Sequence, residues 1–256
     1  MKKLIAIITL SLVVFSSCVE DEVPGLQHTN VSLNFNHNWD GAAVTNADFN
    51  TIKYFNENND ELSIEKLRYL ISDVTFHKSN GETIVVEGYN LVDVTNNENL
   101  SYVTPVQIPI GTYTNVSFTF GFDNTDNIDA AYTDLNSTSW NVPMMMGGGY
   151  HFMQLEGKFI DNTATETGYQ YHAIKAVNNT DPMNLVFQDT FFTVNLGEVI
   201  VRNNSSVDVN MNIAEWFKNP HAWDLNALHS MLMPNFSAQV QMYDNGQDVF
   251  SLGAVN

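Results

Sequence analysis

The sequence is poor in four things, and each shortage narrows what the protein can be. Cys18 is its single cysteine in 256 residues. One thiol closes no internal disulfide and builds no cysteine-based zinc site, so stability must come from an apolar core. Basic residues are scarce as well: ten lysines and arginines stand against 29 aspartates and glutamates, a formal charge of −19. Such a surface repels nucleic acid and anionic head groups and attracts cations, so no nucleic-acid partner is expected. The apolar run Leu4 to Phe15 falls short of the roughly 20 residues that a membrane-spanning helix needs. Finally, there is no Gly-x-Ser-x-Gly elbow, His-Glu-x-x-His helix or phosphate loop. The enzyme classes built on those motifs are excluded, and the chain reads as a binding protein, not an enzyme.

What is present begins with Met1-Lys2-Lys3, the apolar run, and Ser16-Ser17-Cys18. A basic start, a short apolar stretch and small residues before a cysteine form a lipoprotein signal over residues 1–17. Cys18 becomes the lipidated first residue, and 18–30 reads as a tether carrying the acidic run Glu20-Asp21-Glu22. An outer-membrane lipoprotein, facing the periplasm or the cell surface, is the expected location.

Residues 31–256 then read as one domain. Val31 to Trp39 alternates strictly, placing Val31, Leu33, Phe35, His37 and Trp39 on one face. Val116 to Phe122 alternates as clearly. Further short β-runs recur along the chain, with turns at Ser79-Asn80-Gly81 and Tyr243-Asp244-Asn245-Gly246. Helical signals are few: a turn capped by Ser63 over Ile64 to Leu67, and Ile213 to Lys218 ahead of Pro220. The pattern predicts an all-β, β-sandwich-like domain with a few short helices.

The most informative stretch is Met146 to Gly157. Three glycines, Gly147 to Gly149, permit positive φ and close approach, and an alternating strand carrying His151 follows. About a dozen residues later Tyr169 to Ile174 carries His172, so two imidazoles on neighbouring strands can meet as a borderline-metal site. The same residues also suit an ordinary β-sandwich in which buried imidazoles serve only as hydrogen-bond partners. Met144, Met145, Met146 and Met153 add thioethers, which favour Cu(I), though methionine is also a general gap-filler. Asp123, Asp126 and Asp129 lack the spacing of a calcium loop and read as a solvated loop.

Several pieces together resemble the MbnP-like family of copper-binding proteins. They are Leu67-Arg68-Tyr69-Leu70-Ile71-Ser72-Asp73-Val74, Leu91-Val92-Asp93, Ile108 to Tyr113, Phe118 to Asp123, Gly148 to Gly157, Tyr171-His172 and Met211 to Phe217. The resemblance implies an all-β fold and copper held by histidines, here His37, His151 and His172. It further implies a di-haem cytochrome c peroxidase-type partner that oxidises a tryptophan beside the metal, with Trp39 and Trp140 as the candidates. The chain departs from the family pattern after Trp140. A methionine-rich stretch stands there in place of a second tryptophan. A surface β-sandwich that binds a protein or a glycan, without metal, is the competing expectation.

Overall fold

The computed structural model describes residues 27–181 and 183–256. The signal, Cys18 and most of the tether lie outside the described residues. Within the tether, His28–Thr29 pairs with Ile108–Pro109, so this end of it already belongs to the packed domain.

Two main antiparallel-dominated sheets, with two further two-stranded ones, make an all-β fold. The larger has eight strands and is organised around the long strand Lys66–His77. On one edge this strand pairs with Thr83–Asp93. Its other edge is shared by Met153–Ile160 beside residues 66–69 and Gly111–Phe120 beside residues 71–77. Phe192–Val201 continues the sheet past Gly111–Phe120, and Glu166–Ala173 pairs with Met153–Ile160. In the smaller sheet, Ser32–Trp39 lies parallel to Ser206–Asn212, which in turn pairs with Phe250–Val255.

The alternation that predicts these strands also sets their faces. Leu33, Phe35, His37 and Trp39 are buried while Asn34, Asn36 and Asn38 are not. Phe35 meets Tyr69 and Phe118 edge-on, at ring centroids 6.0 and 6.2 Å apart. Phe250 packs on the same two rings, so Tyr69 points into the space between the sheets. Burying each such ring contributes about 1.5–3 kcal/mol. Arg68 and Lys66, one residue to either side of Leu67, emerge on the opposite, outer face. That outer face positions the site.

Two helical expectations change. Ser63 caps no helix: its Oγ accepts the Lys158 N–H at 3.0 Å, and its neighbourhood is drawn into the sheet. Conversely, the expected hairpin around Tyr243 to Gly246 is the end of a helix, Phe236–Gly246. Asn235 caps this helix by accepting the Ala238 N–H. Ala238, Gln239, Met242 and Gly246 form its buried stripe, at helical and not strand spacing. Gln239 fixes the helix to the sheet: its Oε1 accepts the Ile174 N–H and its Nε2 donates to the His172 carbonyl, both at 2.8 Å. The helix therefore holds the strand that carries His172.

A candidate metal centre on the outer face

The segment between Phe120 and Met153 folds over the outer face and delivers Trp140 and His151. Its loop carboxylates and amides serve the glycine turn. Asn127 Oδ1 accepts the Tyr150 N–H at 2.8 Å, and Asp129 Oδ1 accepts the Gly149 N–H at 3.2 Å. Gly149 has φ +77°, and a Cβ there would lie 2.4 Å from Asn127 Oδ1. Only glycine fits. Tyr150 locks the turn from inside, its hydroxyl accepting the Tyr132 N–H and donating to Asn136 Oδ1, both at 2.8 Å. An isolated bridge joins Asn141 to Tyr150, and the His151 N–H donates to the Trp140 carbonyl at 2.9 Å. Trp140 and His151 thus lie side by side, ring centroids 5.7 Å apart.

The predicted alternation through this stretch is only half right. The strand starts at Met153, and Met153 and Leu155 do enter the core. His151 does not join them, because the positive-φ glycines and the bridge at Tyr150 break the alternation before it. It lies instead beside the outward side chain of His172, the two rings perpendicular with centroids 5.3 Å apart.

Hydrogen bonds assign the tautomers. His151 Nδ1 lies 2.9 Å from the Trp140 carbonyl, which can only accept, so Nδ1 carries the hydrogen. His151 Nε2 is then a bare lone pair, buried and without a hydrogen-bond partner among the described residues. Burial holds this imidazole down at about 4, so it is neutral near pH 7. His172 is set the other way round. Its Nε2 lies 2.8 Å from Glu156 Oε1 and must donate, so in the neutral ring Nδ1 is the lone-pair nitrogen. Register explains the contact: Gln154 faces His172 and Glu156 faces Gln170, so Glu156 reaches His172 diagonally. The His172 hydrogen bond, aided by Lys66 at 2.8 Å, holds the Glu156 carboxyl at about 2 despite the opposing effect of burial.

Arg68 completes the surroundings, its guanidinium 5.1 Å from the Trp140 ring and bonded to Gln154. The Trp140 indole N–H is buried and has no hydrogen-bond partner among the described residues. Fully buried, polar and unsatisfied groups are expensive, and two of them here belong to neighbouring rings.

The three predicted histidines therefore separate into a pair and a single residue. His151 and His172 come together with Trp140 on the outer face. His37 points between the sheets, its Nε2 3.1 Å from the Tyr69 hydroxyl, and burial lowers it to about 4. Trp39 is stacked on Tyr54 at 4.7 Å, also between the sheets. The Lys66–His77 strand stands between the two groups, so His37 cannot share an ion with the pair. Among the methionines, Met153 is core and Met146 reaches a cavity beside His172. Glu156, Lys66 and Arg68 were not anticipated; the diagonal from Glu156 to His172 becomes legible only once the strand register is known.

Among the described residues, no three His, Cys, Asp or Glu side chains converge to hold a metal. Glu156 is already committed to His172 and Lys66. What remains is a two-imidazole site, and neutral imidazole suits zinc, copper, iron or nickel. An ion at about 2.0 Å from each nitrogen needs the two no more than about 4 Å apart, and the ring centroids stand 5.3 Å apart.

The profile of the MbnP family matches residues 28–234. The solved structure of MbnP from Methylosinus trichosporium is similar, with TM-score 0.54 and 14% identity over 89% of this chain and 99% of that one. At that identity the likeness speaks for the fold. Among curated proteins, none matches the chain. With its family profile matched across nearly the whole described domain, the chain belongs to the MbnP family.

Proposed function

We propose that this is a copper-binding protein of the cell envelope, anchored by a lipid on Cys18, that captures or handles the metal without catalysing a reaction. One observation carries the reading. His151 Nε2 is a buried, neutral, unpartnered lone pair whose ring is fixed through Nδ1, and a carboxylate-oriented imidazole stands against it. A metal-ligating histidine needs one nitrogen held and the other bare, and His151 meets both conditions. Family membership supports copper as the ion. Trp140 is favoured over Trp39 as the residue that a di-haem peroxidase-type partner would oxidise, because Trp140 alone adjoins the imidazole pair.

Equilibrium dialysis with elemental analysis tests the reading. Wild type should take up close to one Cu(II), His151→Ala and His172→Ala should lose it, and His37→Ala should keep it. Wild type without copper in either oxidation state, or loss through His37→Ala alone, would sink the proposal. A copper-free protein would favour a β-sandwich that binds a protein or glycan. Mass spectrometry of protein from its own cell checks the partner: added oxygen on the Trp140 peptide supports it, and an unmodified peptide counts against it.

A further inference from the structure

Methionine is used in two ways in this chain. Met153, Met211 and Met242 fill the core, as the flexible thioether usually does. Others stay at the surface, Met144 67%, Met145 73% and Met231 75% exposed, where a large apolar side chain gains nothing from burial. Three of the methionines outside the core gather around one imidazole. Met146, from the turn before the glycines, and Met231 and Met233, from the segment before the last helix, line a cavity of about 80 Å³ with His172 and Gln170.

The backbone builds this gathering. The His229 carbonyl accepts the Gln170 N–H at 2.8 Å, laying the 229–233 segment along the strand that carries His172. Gln239 holds the other end of that segment, its Nε2 donating to the Leu232 carbonyl at 3.1 Å and to the His172 carbonyl at 2.8 Å. Met231 sits between these anchors at φ +56°, a left-handed conformation that a residue with a long side chain rarely adopts. Met146 is delivered from the other side by a turn closed by the Gly147 N–H on the Met144 carbonyl.

We propose that Met146, Met231 and Met233, with His172, form a thioether–imidazole site for a soft monovalent cation such as Cu(I). Thioethers are uncharged and soft, so they select Cu(I) over Zn(II), Cu(II) and the hard cations that the acidic surface attracts without discrimination. A cavity of this size holds an ion with room to spare. His172 borders both the cavity and His151, so an ion passing from here to the imidazole pair would keep His172, release the thioethers and gain His151 Nε2, with no change of oxidation state. That onward step rests on the copper function proposed above; binding at the methionines does not.

The test uses the purified protein carrying 13C-methyl methionine, titrated with Ag(I) as a redox-inert stand-in for Cu(I). The methyl resonances of Met146, Met231 and Met233 should shift, those of Met153, Met211 and Met242 should stay, and Zn(II) should move none. The shifts should persist in His151→Ala. Changing all three to leucine, which conserves volume, should weaken Ag(I) binding about tenfold or more as the soft donors are removed. Three methyl signals unmoved by Ag(I), or unchanged affinity in the triple leucine variant, would overturn the site while leaving the imidazole pair untouched. If instead the methyl shifts persist while Cu(II) uptake ignores His151→Ala, the thioether site stands and the copper reading of the pair falls.

Discussion

Chains carrying Gly157→Ala are expected to be strongly destabilised. A Cβ at residue 157 would lie 2.1 Å from the Ser63 carbonyl oxygen and 2.8 Å from the Tyr169 ring. Neither can retreat. Ser63 is tied to the adjoining strand through its N–H on the Lys158 carbonyl at 2.8 Å and its Oγ under the Lys158 N–H at 3.0 Å. The Tyr169 hydroxyl donates to that same Ser63 carbonyl at 2.8 Å, so ring and backbone are fixed together. Overpacking a rigid core costs about 1–3 kcal/mol and more where backbone is struck, which places this substitution at the upper end. Against a total stability of about 5–15 kcal/mol, the variant should unfold at a far lower temperature or accumulate as aggregate. Circular dichroism during a thermal ramp decides it. A melting temperature within a few degrees of wild type would show that the sheet around Glu156 is not packed as described. Because Glu156 is the neighbouring residue, the imidazole pair depends on the same contact.

Replacing Glu156 by glutamine should weaken copper binding by about 10–100-fold, the usual cost of losing the group that orients a ligating histidine. The amide oxygen still accepts from His172 Nε2, so shape is preserved. What is lost is the negative charge that makes the ring a better donor and that neutralises Lys66. Left without its partner, the Lys66 ammonium also opposes the incoming cation. The fold should hardly notice, since partly exposed ion pairs contribute about 0–1 kcal/mol. Competition against a chromophoric Cu(I) chelator measures the difference. Equal affinities for the two proteins would mean that Glu156 only buttresses the sheet.

Much of the architecture can be read in the chain, and the failures have physical reasons. Ser32–Trp39 and Gly111–Phe120 alternate so clearly that face and burial follow directly, and the inward placement of His37 and Trp39 was legible. The glycine turn ahead of a strand was legible too. Its consequence for His151 was not, because three positive-φ residues in succession uncouple side-chain direction from sequence parity. The helix Phe236–Gly246 was concealed by Gln239-Val240-Gln241-Met242, which alternates like a strand, and by Asn245-Gly246, which reads as a turn. Asn235 at its cap was the available signal. Missing that helix hid the methionine cavity as well, since Met231 and Met233 reach His172 only through the segment the helix anchors. The pairing of His151 with His172 could be guessed from their strands, but the exclusion of His37 needed the sheet between them.

We propose His151 Nε2 as a lone pair held ready for a metal. Long-range 1H–15N correlation of the imidazoles, in the variant with leucine at Met146, Met231 and Met233 so that Ag(I) meets no thioether site, before and after one equivalent of Ag(I), addresses it directly. Before addition, His151 should appear as the neutral tautomer with hydrogen on Nδ1, as its bond to the Trp140 carbonyl requires. After addition its Nε2 signal should shift strongly, with the Nδ1 signal of His172, while His37 stays where it was. An His151 that carries hydrogen on Nε2, or Ag(I) binding that leaves both rings unmoved, would contradict the account.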